Sequence, residues 1–231
     1  MSIDVLGDLL SDKVAQRRIH GVVVGVVTNN QDPDGLGRVK FRLPWLSDAY
    51  ESNWARVAAP MAGKERGAYF LPEVDDEVLV AFEHGAIERP FVVGALWNGQ
   101  DKPPADNKDG KNNVRMIKSR SGLTVKLDDT DGAAKVTISD KDGKNLIELD
   151  ASKSTISITS DKDLILSAKG KISLESGSDV SIKGQSLALE GEQKYAIKAG
   201  TDGTLEAAKS LAITCMGTGG VNVNNGALEV K

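Results

Sequence analysis

Residues 155–190 read TISITSDKDLILSAKGKISLESGSDVSIKGQSLALE, and the architecture of the chain turns on them. Pairs of apolar residues separated by one residue recur here as Ile156/Ile158, Leu164/Leu166, Ile172/Leu174, Val180/Ile182 and Leu187/Leu189, at a step of mostly eight residues. The pattern runs back through Ile147/Leu149, Val136/Ile138 and Leu123/Val125/Leu127. It runs forward through Tyr195/Ile197, a weak Leu205/Ala207, Leu211/Ile213, Val221/Val223 and Leu228/Val230. The step is too short for a leucine-rich, ankyrin or tetratricopeptide unit. Each pair reads as a strand too short to stand alone, with one face turned inward and one to water. Such strands are useful only when each turn stacks on the next.

One strand per eight residues gives a single chain too little wall to enclose a core. Each Val, Ile or Leu left in water forgoes about 1.5–3 kcal/mol. Intertwining identical chains removes the difficulty, because each chain supplies one wall of a narrow tube and its neighbours cover the apolar face. Strand edges are then satisfied between chains, and three walls make the smallest closed prism that cyclic symmetry permits. Residues 118–231 are therefore expected to form an intertwined, trimeric, triple-stranded β-helix: a shaft with a tip. Lys169-Gly170, Ser176-Gly177 and Lys183-Gly184 supply corners where a positive φ is needed. Tyr195 is large for a narrow interior and marks an irregularity. Cys215 follows Ile213 at period two and should face inward as a buried thiol; the alternative is three sulfurs meeting a metal near the axis.

Upstream the composition changes. All three tryptophans (Trp45, Trp54, Trp97), all four phenylalanines and all seven prolines of the 231 residues precede residue 105. Residues 20–98 read as a small all-β domain. The run HGVVVGVVTNN is a strand ending in a polar turn, and Asp-Pro and Asp-Gly signals precede a second strand at Val39, Phe41 and Leu43. WARVAAP, residues 77–83 and ERPFVVGALWNG supply three more. Five strands joined by glycine-rich turns point to a small closed barrel of OB type, with an open sandwich as the alternative. Residues 99–117 form a polar, proline-containing linker. Residues 3–18 read as a short amphipathic helix, with Leu6, Leu9, Leu10 and Val14 on its apolar stripe. The helix either packs on the next domain or attaches a partner.

A net charge of −4 argues against nucleic acid as a partner. Arg38, Lys40 and Arg42 do share one face of a strand, but Glu77 and Glu83 are expected to neutralise them across the sheet. Two histidines and one cysteine give no zinc cluster or disulfide framework within one chain. The N-terminus has no leader-like pattern, and no stretch approaches the ~18 apolar residues of a membrane span. No catalytic set emerges. His20 and His84 lack a nucleophile partner, and Gly35-Leu36-Gly37 precedes a strand where a phosphate cradle opens a helix. Glu73, Asp75, Asp76 and Glu77 read as a solvated turn, and Asp140-Lys141-Asp142-Gly143 lacks the distal Glu of a calcium loop. No catalytic, cofactor or metal-binding residue is assigned, and the chain is expected not to be an enzyme.

Over residues 21–104 a family pattern appears in Asn30-Gln31-Asp32-Pro33, Gly37-Arg38-Val39-Lys40, Pro44-Trp45, Trp54-Ala55-Arg56-Val57, Gly67 to Phe70, Pro72-Glu73-Val74, Asp76-Glu77-Val78, Pro90 and Gly94. These residues resemble the OB-type domain of the baseplate assembly protein V and VgrG spike family of contractile phage tails and contractile injection systems. The octad tail resembles the family's trimeric β-helical needle. The usual Glu-Val-Gly-Asp-Glu turn here reads Glu73-Val74-Asp75-Asp76-Glu77, with a carboxylate in the glycine position. His84-Gly85-Ala86 has Ala where an acidic residue is common.

The resemblance implies a structural central spike that pierces a target envelope mechanically when a sheath contracts. It would be a homotrimer that touches the target membrane transiently, assembled in the cytoplasm into a phage baseplate or an extracellular injection particle. Residues 1–19, through Leu6, Leu9, Leu10 and Val14, would dock on a separate trimeric hub. Val221, Val223, Leu228 and Val230 would meet a PAAR-type tip protein. The rivals are a trimeric, tail-fibre-like adhesin that binds surface glycans and a β-helical polysaccharide hydrolase. The short step tells against the hydrolase.

Overall fold

The computed structural model describes residues 18–47, 49–214 and 216–217. The expected N-terminal helix with Leu6, Leu9, Leu10 and Val14 lies outside the described residues, as do Cys215 and the expected tip residues Val221, Val223, Leu228 and Val230. The chain divides into two units, residues 1–165 and 166–231. The described part is all-β.

In the first unit, β1 (Val22–Asn29), β2 (Arg38–Arg42), β3 (Ala55–Val57), β6 (Glu77–Phe82) and β7 (Pro90–Ala95) close into a barrel in the order β1-β2-β3-β7-β6. All pairings are antiparallel except β3 with β7. These are the five strands expected from the sequence. A short hairpin of β4 (Ala62–Gly63) and β5 (Arg66–Gly67), not read from the sequence, stands off the barrel.

Period-two alternation explains the barrel's interior. Val39, Phe41 and Leu43 along β2, Val78, Val80 and Phe82 along β6, and Val27, Ala55 and Val92 from the other strands form the core. Gly25 makes room for the largest of them. A Cβ there would lie 2.9 Å from Cδ2 of Phe41, so only glycine lets β1 pass so close to that ring. Ile19 packs against the core, and its N–H donates to the Gly85 carbonyl (3.0 Å).

Also in the first unit, β8 (Val114–Lys118), β9 (Thr124–Asp128), β10 (Lys135–Ser139), β11 (Leu146–Asp150) and β12 (Thr155–Thr159) pair in sequence as an antiparallel meander. The strand β8 falls within the stretch read as linker. The turns between these strands are tied by their own side chains: Asp140 accepts from the Lys144 N–H (2.9 Å) and from Asn145 Nδ2 (2.6 Å). Among the described residues of the second unit, the recurring pairs form no strand ladder within the chain, and their side chains are exposed.

Candidate assembly surface

Meander registers put the recurring apolar residues side by side. One row runs Ile117, Val125, Ile138, Ile147, Ile158 across the five strands, and a second runs Leu127, Val136, Leu149, Ile156 beside Arg115. Within the single chain this aliphatic face is open, from 37% exposed at Val136 to 73% at Ile156. The opposite face is mostly polar: Lys126, Thr137, Glu148 and Ser157 stand in register beside Met116, and Lys135 pairs with Glu148 at 3.3 Å. A sheet ordinarily turns its aliphatic side to a core. Here that side has none among the described residues, and a contiguous apolar patch of this kind marks an interaction surface.

The aliphatic face includes a groove of about 840 Å³ whose lining runs from Phe70 through Ile117, Leu123, Ile138 and Ile147 to Leu164. Phe70 follows the β4–β5 hairpin, so the barrel domain contributes an aromatic ring to the groove. Arg120 in the β8–β9 turn meets Glu73 at 2.8 Å, but both side chains are solvated and the pair contributes little.

On the barrel, Arg38 and Lys40 of the basic row along β2 are paired within the domain, though not with the expected carboxylates. β6 pairs with β1 and β7 and not with β2, so β1 lies between the row and the strand that carries Glu77. Glu77 and Glu83 accept instead from Asn98 (2.8 Å) and Arg89 (3.3 Å). The partners of Arg38 and Lys40 come from the flanking loops. Asp32 takes Arg38 through two bonds, Nε at 2.8 Å and Nη2 at 2.7 Å, and Asp34 takes the same guanidinium. Glu51 accepts from Lys40 (2.8 Å) and Thr28 (2.8 Å). Trp54 lies under both cations, at 5.9 Å from Arg38 and 5.4 Å from Lys40.

Asp32 also accepts the backbone N–H groups of Asp34 (3.1 Å), Leu36 (3.1 Å) and Arg38 (3.2 Å), so one carboxylate organises the whole β1–β2 loop. The Arg38 guanidinium bonded to it holds its carboxyl well below the usual carboxylate range. Gly35 (φ +65°) and Gly37 (φ +67°) serve this ring as turn residues, which accounts for Gly35-Leu36-Gly37 without a phosphate.

The remaining residues weighed from sequence are dispersed or structural. His84 sits with positive φ in a single 3-10 turn, and His20 precedes β1. Asp75 and Asp76 shape the turn before β6: the Asp75 N–H donates to the Val27 carbonyl (2.9 Å), and the Glu73 N–H donates to the Asp76 carboxylate (2.8 Å). Sequence reasoning missed Asp32 as a loop organiser, Ser52 as a buried strand partner and Phe70 as a groove residue. Of these, only the loop had a legible signal, in the spacing from Asp32 to Arg38.

A second concavity of about 690 Å³ is lined by the β4–β5 hairpin with Leu36, Met61, Tyr69 and Phe70. Tyr69 is 77% and Phe70 66% exposed.

Comparison with known proteins places these features. The profile of the family described as the type VI secretion system/phage-baseplate injector OB domain matches residues 23–97, the span of the closed barrel. The chain is 29% identical over 150 residues to the type VI secretion system spike protein VgrG2a of Pseudomonas aeruginosa, covering 56% of this chain and 18% of the relative. It is 30% identical over 129 residues to VgrG1a of the same organism (51% and 20%) and 34% identical over 94 residues to VgrG5 (39% and 12%). The chain thus spans a fifth or less of the length of these curated relatives. Domain span and barrel topology together make residues 23–97 similar to the type VI secretion system/phage-baseplate injector OB domain.

Proposed function

We propose that this chain is the structural central spike of a contractile injection apparatus, acting as a homotrimer. Three barrels form a collar seated on a separate hub, with residues 1–19 as the docking element. Residues 118–231 form the shaft: the β8–β12 meander, paired within each chain, leads it, and the octad pairs that follow intertwine as a triple-stranded β-helix ending in a surface for a PAAR-type tip protein. Sheath contraction drives the shaft through the target envelope, and the work is mechanical. A shaft whose strands are hydrogen-bonded between chains resists unfolding through a high barrier.

One observation carries this reading: the recurring apolar pairs lie in rows on an open face, where only further protein covers them. Other copies of the same chain supply the same rows at the same spacing. Sedimentation velocity or native mass spectrometry of the full chain tests it. A trimer is expected, and a monomer at micromolar concentration refutes the spike. Co-purification with hub and tip partners then separates the spike from other trimers.

The concavity beside Tyr69 and Phe70 favours a second reading, a trimeric adhesin using its barrel to hold a surface glycan, since exposed aromatic faces stack on sugars. Glycan-array binding that is lost in Tyr69→Ala supports it. No binding to any glycan, with hub capture intact, excludes it.

A further inference from the structure

We infer that the outer wall of the barrel over β1, β6 and β7 is covered by residues 1–17 of the same chain, the segment outside the described residues whose sequence reads as an amphipathic helix. The contact is made within one chain and does not depend on the assembly proposed above.

The wall is apolar where a barrel ordinarily meets water. β1 reads VVVGVVTN, with apolar residues at inward and outward positions alike, the pattern of a strand buried on both faces. Val27 lies in the core and Val23 packs against it, while Val22 and Val24 point outward. The registers extend the outward set across two more strands. One row runs Val22, Ala81, Phe91 and the next runs Val24, Leu79, Gly94, with Val93 beside them at the β6–β7 bulge. Neither row holds a charged side chain, and Val22 is 56% and Val93 43% exposed. Charges stand at the margins: Glu77 and Arg42 flank Val26, and Arg56 lies over the Phe91 ring at 4.6 Å. Scattered apolar residues are ordinary on a surface. A contiguous set on three paired strands marks a contact.

Three observations choose the occupant. First, the chain enters the barrel at this wall. The Ile19 N–H donates to the Gly85 carbonyl (3.0 Å), and a Cβ at Gly85 would stand 2.9 Å from Cβ of Arg18, so residue 18 is held beside the turn that follows β6. Gly21, at φ +86°, then turns the chain into β1. A segment tethered at this rim meets the wall at an effective concentration on the order of millimolar. Second, the reach is sufficient. A helix over residues 3–18 would be about 24 Å long, and β1 from Val22 to Val26 runs about 13 Å.

Third, the chemistry matches. Ile3, Leu6, Leu10 and Val14 recur at three- and four-residue spacing and make one aliphatic stripe, whereas Asp4, Asp8 and Asp12 fall on the opposite side of such a helix. An aliphatic stripe laid on an uncharged wall buries no lone charge, and the carboxylates stay in water. The docking role proposed for residues 1–19 then falls to that acidic side, because Leu6, Leu10 and Val14 face the barrel.

The full-length chain carries the test in a Cys215→Ser background, which removes its one native thiol. Leu10→Cys with Val24→Cys, treated with a short bismaleimide, is expected to link within one chain, so that both thiols are consumed and the denatured band stays at single-chain mass. Leu10→Cys with Leu36→Cys, in the β1–β2 loop at the far end of the barrel, is expected to stay unlinked. Trypsin supplies a second readout that leaves every barrel residue unchanged. Leu10→Asp should raise the rate of cleavage after Lys13 at least tenfold with unchanged tryptophan emission, and Asp8→Asn should leave it as in wild type.

A link that joins two chains makes the occupant a second copy and overturns the inference. Equal linking to Leu36→Cys overturns the placement. No link, with Lys13 cut as fast in wild type as in Leu10→Asp, overturns it too and leaves the wall to a separate protein. None of these outcomes touches the trimeric spike, which sedimentation of the same samples decides.

Discussion

Replacing Ser52 by alanine tests how the barrel wall is completed where its strands run out. β2 pairs with β3 only at Arg38–Arg56 and Val39–Ala55, so beyond Val39 its outer edge has no strand partner on that side. Ser52, 2% exposed, fills the gap. Its Oγ accepts the Phe41 N–H (3.0 Å) and donates to the Asn53 carbonyl (2.8 Å), and its own N–H donates to the Phe41 carbonyl (2.9 Å). The alanine variant keeps the last bond and strands the Phe41 N–H inside the wall, while exposed Asn53 finds water. An unsatisfied buried donor costs about 1–3 kcal/mol. At roughly 2–4 °C per kcal/mol for a chain of this size, the melting midpoint should fall by about 2–12 °C. Tryptophan fluorescence reads it cleanly, because Trp45, Trp54 and Trp97 all precede the meander. Ser52→Thr keeps the hydroxyl and should stay within a degree or two of wild type. A Ser52→Ala midpoint indistinguishable from wild type would refute the stitch, since the Phe41 N–H would then have another acceptor.

Two further outcomes follow from the turns. Asp75 holds a left-handed φ of +75°. Left-handed backbone costs an L-residue about 1–2 kcal/mol, less for aspartate, so Asp75→Gly should melt a few degrees above Asp75→Ala, and the reverse order would discard the conformational account. Asp32 has a folded-state pKa held below its unfolded value by Arg38, so its contribution is present above about pH 4 and is lost as pH falls through the folded value. Urea midpoints of wild type should drop more steeply than those of Asp32→Asn between about pH 5 and 2; parallel curves would mean that the loop does not depend on this carboxylate.

The barrel was legible because its strands obey two local rules at once. Val39, Phe41 and Leu43 alternate cleanly, and Asp-Pro and Asp-Gly mark the loop before them. What alternation does not carry is which strands are neighbours. The sequence reading set Glu77 and Glu83 against the basic row, but barrel closure inserts β1 between β2 and β6 and gives Arg38 and Lys40 to Asp32, Asp34 and Glu51. Ser52 was silent for the same reason: a lone serine in a polar loop has no period. In the second half the apolar pairs were legible as strands, and the early ones are strands. Their pairing depends on spacing. Steps of nine to eleven residues between Val125 and Ile156 leave room for a tight turn and a return strand, so those pairs fold back on one another. A step of eight leaves less.

The meander also has a temporal consequence. Each of its ladders joins strands adjacent in sequence, whereas the barrel must bring Val22–Asn29 to Glu77–Phe82 and Ala55–Val57 to Pro90–Ala95. Local pairings form fast and distant ones slowly. On the ribosome, however, the barrel has a head start of some twenty residues, since Pro90–Ala95 emerges before Val114 does. Synthesis order and folding speed therefore pull in opposite directions, which narrows the interval between a closed barrel and an open aliphatic sheet.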